Sequence, residues 1–210
     1  MARIDYADPE DLPAEKRHLL DSMANDDGGG SAESATGSDD DGGDDSGETA
    51  AHGLRSDRLN VYRLLGRNPA VLAGFREYLG TVWAEAGLAP HERELVILAT
   101  ARAADSRYEW HQHVRVALDE GMSVDTILAV ARGEPDRLAS ADAALVDYAT
   151  AFVTGAVDDE VHDRLADHFD EPTVLGVAAL AGNYLGLARA FDALAVDLET
   201  EFVGWDLENL

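Results

Sequence analysis

Between residues 57 and 199 apolar side chains recur at intervals of three and four and never alternate long enough to make a strand. Such a chain has helical stripes to bury and no sheet face. The spacing predicts an all-α fold with no significant sheet. Helices are expected near 57–66, 69–86, 90–104, 107–120, 123–132, 140–154, 158–168 and 172–199. Asn68-Pro69, Ser123, Ser140 and Asp158 are suited to start helices, because short polar side chains accept from the free N–H groups of a first turn. Gly87, Gly121, Gly133 and Gly155 follow the ends of periodic segments, where a left-handed residue closes a helix with little strain. Gly176, Gly182 and Gly186 fall inside the last helical pattern, and close packing of another helix is the expected reason.

One stretch departs from this pattern. From Ala24 to Gly53 the chain holds nine acidic residues, eight glycines, no basic residue and no large apolar side chain. It has too little apolar surface to offset the entropy of ordering. Residues 24–54 are therefore expected to be an acidic, disordered insert, with Asp39 to Asp45 a weak cation site on a sharper reading. Residues 1–23 form an N-terminal arm with a short helix starting near Pro13, and residues 55–205 form the single folded domain.

Charge excludes further classes of function. Sixteen basic residues stand against 42 acidic ones, a formal charge of -26. Phosphate binding needs a cationic face, so nucleic acid is not an expected partner. No run approaches about 18 uninterrupted apolar residues, and the N-terminus lacks a basic segment followed by an apolar one. The protein is therefore expected in the cytoplasm, with no membrane partner. Only Lys16 is a lysine, and the acidic excess extends beyond the insert, as in a proteome adapted to high salt.

The sequence contains no cysteine. That removes disulfides, thiolate nucleophiles and cysteine metal sites together. No glycine-rich phosphate loop follows a strand and no serine nucleophile elbow appears, so nucleotide binding and Ser-His-Asp hydrolysis lack support.

The informative segment is HERELVILATARAADSRYEWHQHVRVALDEGMS, from His91 to Ser123, which reads as two helices joined at Asp105-Ser106. At about 100° per residue, Ser106, Glu109 and His113 lie within roughly 60° of arc. Glu94 lies on the preceding helix and approaches His113 if the two helices pair antiparallel. A carboxylate beside an imidazole raises its pKa and fixes its tautomer, while burial raises the pKa of a glutamate, so such a group can exchange protons near neutral pH. Two blander readings stand beside this one: Glu109 and His113 as an ordinary surface i,i+4 contact, and Glu94 paired with Arg93 or Arg102. A metal site of Glu94, Glu109 and His113 is a further alternative. His111 points to another face and forms no chelating pair with His113. Tyr108, Trp110, Asn183, Tyr184 and Arg189 are candidates to line a pocket, or to pack as core.

Through ERELVIL, YEWHQHVRVALDEGMS and GNYLGLARAFDALAVDLE, residues 55–205 resemble the carboxymuconolactone decarboxylase and alkylhydroperoxidase D-like superfamily. Its peroxidase branch carries a glutamate, twelve residues later a Cys-x-x-Cys pair, then a histidine four residues beyond the second cysteine. Here those positions are Glu94, Ser106, Glu109 and His113. Neither a hydroxyl nor a carboxylate can cycle through sulfenic acid and disulfide, so peroxide reduction of that type has no electron carrier. The resemblance implies an alkylhydroperoxidase D-like all-α fold around a central helical hairpin. It also implies assembly as a homo-oligomer, trimer or hexamer, with sites near interfaces. The cysteine-free YEWxxH pattern looks closer to the decarboxylase-like branch, which acts on small carboxylated lactones or related acids without metal or organic cofactor. On that reading His113 is general acid/base, Glu94 orients it and Glu109 is the second carboxylate. Ser106, Tyr108, Trp110 and Arg189 would contact a small-molecule substrate, with Arg102, Arg107 and Arg115 as other cations for an anionic one. The alternative is an oligomer that binds a small metabolite without chemistry.

The charge pattern carries its own test. The Debye length falls to about 3 Å near 1 M salt, which screens the self-repulsion of an acidic surface. The melting temperature is expected to rise between dilute buffer and molar KCl, and a flat or falling dependence removes the salt-adaptation reading.

Overall fold

A computed structural model describes residues 1–21 and 58–210, and these carry helices and no strand. The eight α-helices are α1 Asn60–Leu65, α2 Pro69–Glu85, α3 Pro90–Ala103, α4 Arg107–Asp119, α5 Val124–Arg132, α6 Ser140–Thr154, α7 Asp159–Ala166 and α8 Glu171–Leu194. The expected insert at 24–54 lies outside the described residues.

Several starts follow from capping chemistry. Asn68 accepts from Val71 N at 3.3 Å, with Pro69 in the first turn of α2. Ser123 accepts from Thr126 N at 3.1 Å, Asp158 from Val161 N at 2.9 Å and Asp170 from Thr173 N at 3.0 Å. Each satisfies an N–H that the helix itself leaves free. Ser140 is the first residue of α6, and Ala139 is the cap.

Helix α3 is the centre of the molecule. Its run Leu95, Val96, Ile97 and Leu98 is wholly buried, so the helix is apolar around its circumference and must be surrounded. It packs against α4, α5, α6 and α8. Helices α3 and α4 form a hairpin whose turn places Asp105 at a φ of 56°. Their shared interior brings Glu94 of α3 to His113 of α4 away from solvent.

A second apolar cluster joins the N-terminal arm to the body, with Ala7, Leu12 and Leu20 against Tyr62, Leu64, Leu72 and Phe191. The arm's expected helix near Pro13 is a 3₁₀ helix, Ala14–Leu20. Helix α8 is long and apolar enough to cross a membrane by length and composition, with 39% of the qualifying window buried inside the fold. It packs here against α2, α3, α4, α6 and α7.

The structure corrects the end of α8. It stops at Leu194, not near 199, because Ala195 turns left-handed at a φ of 52° and Val196 N bonds Phe191 O at 3.0 Å. The tail then folds back along α4, burying Val203.

The glycines of α8 also divide. At Gly176 an added Cβ would collide with the backbone carbonyl of Ala86, so α8 crosses the end of α2 at contact distance. Gly182 would make only ordinary contact with Phe152, and Gly186 has open space, so close packing explains the first alone. Gly176→Ala is expected to destabilise by about 1–3 kcal/mol, because backbone cannot yield as a side chain can. Gly186→Ala should be neutral or stabilising by up to about 1 kcal/mol. Paired thermal melts check the opposite signs.

Candidate functional site

Two helices supply the site's polar residues. Glu94 lies one turn into α3, directly before the apolar run that centres that helix, and is completely buried. Ser106 is the N-cap of α4, and Glu109 and His113 follow on the same face, one turn apart. All three side chains of the Glu94, Glu109 and His113 group are at least nine-tenths buried.

His113 Nδ1 lies 2.8 Å from Glu94 Oε2, a short hydrogen bond in which the ring N–H donates to the carboxylate. That bond leaves Nε2 facing Glu109, whose Oε2 is 3.7 Å away. The gap exceeds a direct hydrogen bond. The hairpin therefore brings together the three residues that the spacing singled out, in a buried setting rather than at the surface. Glu94 also lies 3.7 Å from Arg93 Nε, so its pairing with Arg93 and its bond to His113 coexist.

Arg93 is held on three sides. It lies over the Trp83 ring at 3.9 Å and donates to Glu120 Oε1 at 2.7 Å. The Tyr184 ring meets His113 edge-on with centroids 4.9 Å apart, and Trp83 lies 6.0 Å from His113 on another side.

This surrounding sets the electrostatics. Burial raises the Glu109 pKa to about 7, the charge of Glu94 adds to the rise, and His113 opposes it. Burial alone would lower the pKa of His113. The charge and hydrogen bond of Glu94, with the charge of Glu109, outweigh that and raise it. Burial and the nearby Glu109 and Glu94 charges hold the Tyr184 phenol well above its ordinary value, so it remains a hydroxyl. A group that changes charge near pH 7 beside a stabilised imidazolium can give and take a proton.

The other candidates go elsewhere. Ser106 Oγ accepts from Glu109 N at 3.5 Å, serving the start of α4. Tyr108 donates to Glu199 Oε1 at 2.7 Å and accepts from Val61 N, and Trp110 donates to Gly204 O at 3.0 Å. Tyr108 anchors the tail and α1 to α4, and Trp110 anchors the tail. Arg189 donates to Ala104 O at 3.2 Å across the hairpin turn. Arg102 binds Ala131 O, Arg107 lies over Phe202, and Arg115 binds His111 O. His111 accepts from Val203 N at 3.1 Å and so holds the tail. The described residues contain no group of three His, Asp or Glu side chains placed to hold a metal ion.

Sequence reasoning did not place Trp83 or Glu120. Glu120 had a signal, since seven residues beyond His113 it returns to nearly the same helical face. Trp83 had none, because it comes from α2 by tertiary packing.

The Carboxymuconolactone decarboxylase family matches residues 69–154, a span holding Glu94, Ser106, Glu109 and His113. Solved structures agree over more of the chain. A peroxidase-related protein from Ralstonia eutropha JMP134, described as an alkylhydroperoxidase AhpD core, is 16% identical with a TM-score of 0.68, covering 98% of this chain and 96% of its own. The fold is alkylhydroperoxidase D-like. The debrominase Bmp8 is 18% identical with a TM-score of 0.65, covering 72% of this chain and 84% of its own. A variant of that debrominase with a cysteine replaced by alanine, in complex with 2,3,4-tribromopyrrole, is 18% identical with a TM-score of 0.63, covering 74% and 95%. No curated protein matches the sequence. The family match lies within the part of the chain that these neighbours cover, and all agree on the helical fold.

The raised Glu109 pKa has a consequence for stability. Its folded pKa of about 7 lies above the ordinary 4.5, so between those values the unfolded chain loses this proton first and stability falls as pH rises. The rise of about 2.5 corresponds to about 3 kcal/mol above pH 7. Glu109→Gln is expected to melt above wild type at pH 8, with the difference closing towards pH 4.5. A difference that stays constant across that range overturns the assignment.

Proposed function

We propose that this protein is a cofactor-independent acid/base catalyst, a lyase of the decarboxylase type or an isomerase, acting on a small carbonyl or carboxylated substrate. One observation carries the reading. Glu94, His113 and Glu109 line up in a sheltered interior, with the middle imidazole fixed at 2.8 Å on one side and a carboxyl of pKa about 7 on the other.

In this mechanism the Glu94 carboxylate sets the tautomer of His113 and stabilises its protonated form. Nε2 and the Glu109 carboxyl then face the substrate from neighbouring positions. One takes a proton from the carbon beside a carbonyl, and the other returns a proton to the carbanion or enolate that results. For a β-keto or lactone acid, loss of carbon dioxide generates that enolate, and the protonated partner quenches it. Positioned proton transfers of this kind are each worth about 10²–10⁴ in rate. Tyr184 supplies a phenol that stays protonated and can donate to a developing oxyanion.

The arginines narrow the substrate. Arg93 is committed to Glu94, Glu120 and Trp83, while Arg102, Arg107 and Arg189 are engaged away from Glu109. That favours a substrate of low charge. Exposed Val71, Tyr78 and Leu175 favour a homo-oligomer, in which further side chains could complete the site.

Binding without turnover is the second reading. It is favoured by the debrominase variant, which holds a small aromatic ligand after a cysteine is replaced by alanine. The rings of Trp83 and Tyr184 beside His113 suit such a ligand.

Solvent deuterium incorporation separates the two. Incubated in heavy water with a panel of small lactones and keto acids, the wild type should exchange or release protons beside the carbonyl. His113→Gln and Glu109→Gln should each lower that rate by about 10²-fold or more, measured where each variant is folded. Turnover that is unchanged in His113→Gln rejects the catalytic assignment, and ligand protection without exchange selects the binding reading.

A further inference from the structure

On the side of Glu94 that faces away from His113, three buried side-chain atoms have no hydrogen-bonding partner among the described residues: Arg93 Nε, Glu94 Oε1 and Glu120 Oε2. They belong to one cluster. Arg93 Nε is 3.7 Å from Glu94 Oε1, and the same guanidinium donates to Glu120 Oε1 at 2.7 Å. The Arg93 side chain is nine-tenths buried and the Glu94 side chain completely so. One N–H and two carboxylate oxygens are what a single water satisfies, since water accepts one bond and donates two.

We propose that one water is bound by Arg93 Nε, Glu94 Oε1 and Glu120 Oε2, and that Glu120 exchanges protons between solvent and the buried Glu94–His113 pair through it. The catalytic use of this path rests on the acid/base reading, whereas its existence does not. Glu120 is suited to the role because its side chain is 22% exposed while its Oε2 is buried. The groups that act on it are Arg93 and Glu94 from α3 and His113 from its own helix.

Each step balances in protons alone. Glu120, protonated from solvent, gives its proton to the water as the water gives another to Glu94 Oε1. A half-turn of the Glu94 carboxyl about its soft terminal torsion carries that proton to the Oε2 position, where Nδ1 of His113 takes it when the ring holds its other proton on Nε2, giving the imidazolium. The reverse order empties the site. Glu120 is thus a positioning residue for protons, reached from His113 through Glu94 and Arg93.

The test follows the ring N–H of His113 in protein made with isotope-labelled histidine, its resonance assigned from His113→Gln. In Glu120→Gln, which keeps the size and the acceptor for Arg93, exchange of the His113 Nδ1 proton with solvent should slow about tenfold or more. Glu120→Asp, which restores an acid, should recover part of the rate. Unchanged exchange in Glu120→Gln means the proton leaves by the Glu109 side and overturns the proposal. A crystal structure of the wild type supplies a second check that needs no variant: a water should lie within about 3.2 Å of all three atoms. Direct closure of Arg93 Nε onto Glu94 with no water there overturns it as well. Slowed exchange in Glu120→Gln together with unimpaired turnover in His113→Gln would sink the catalytic reading and leave this path standing.

Discussion

The hydrogen bond between His113 Nδ1 and Glu94 Oε2 is the constraint around which the centre of this protein is arranged. A carboxylate inside a helix as apolar as α3 is costly unless it is paired and bonded, and replacing either partner leaves the other without its match. The pairing also fixes the register of the α3–α4 hairpin, because sliding α4 by one residue would turn His113 away from Glu94 and set a different side chain against it. Arg93 makes the arrangement tolerable from the other side, spreading its charge between Glu94 and Glu120 while lying against Trp83. The polar cluster is therefore both the chief liability of the core and the device that specifies how its two central helices meet.

Much of this was legible in the sequence wherever a single helix decides the matter. Ser123, Asp158 and the Asn68-Pro69 pair announce helix starts, and Gly133 and Gly155 close α5 and α6 with a left-handed residue. The grouping of Glu109 and His113 follows from helical spacing, and Glu94 followed once an antiparallel hairpin was assumed. The tail was not legible. Its apolar residues Phe202, Val203 and Trp205 continue no helical period, and α8 ends at Ala195, a residue whose intrinsic preference is to extend a helix. What ends it is tertiary: Asn60 and Tyr108 bond Glu199, Gln112 donates to it at 2.6 Å, and Trp110 bonds Gly204.

The same tail explains why Tyr108 and Trp110 read as pocket residues. Helical spacing reports that a side chain lies beside an apolar stripe, and it cannot say whether the stripe's edge meets a ligand or another part of the chain. On α4 the two faces divide cleanly. Glu109 and His113 look toward α3, whereas Tyr108, His111 and Gln112 look toward residues 196–210. A chain segment bonded to three consecutive turns of α4, through Tyr108, Gln112 and Arg115, braces the helix that carries Glu109 and His113.

The two helices of the hairpin offer an internal comparison that bears on Glu109. Each has a glutamate at the third position of its first turn, where the usual service is to reach back to the N–H of the cap. Glu92 of α3 does so, accepting from Ala89 N at 2.7 Å. Glu109 does not, because the N–H of Ser106 is already taken by Ala101 O at 2.8 Å across the tight turn at Asp105. The carboxyl of Glu109 is thereby released from capping and directed inward, toward His113. The positive end of α4 favours its charged form, yet burial prevails and brings its pKa to about 7. In the peroxidase branch that the sequence resembles, this position belongs to a thiol that carries electrons. A carboxyl held there can carry only protons, and it lies beside the hydrogen-bonded Glu94–His113 pair.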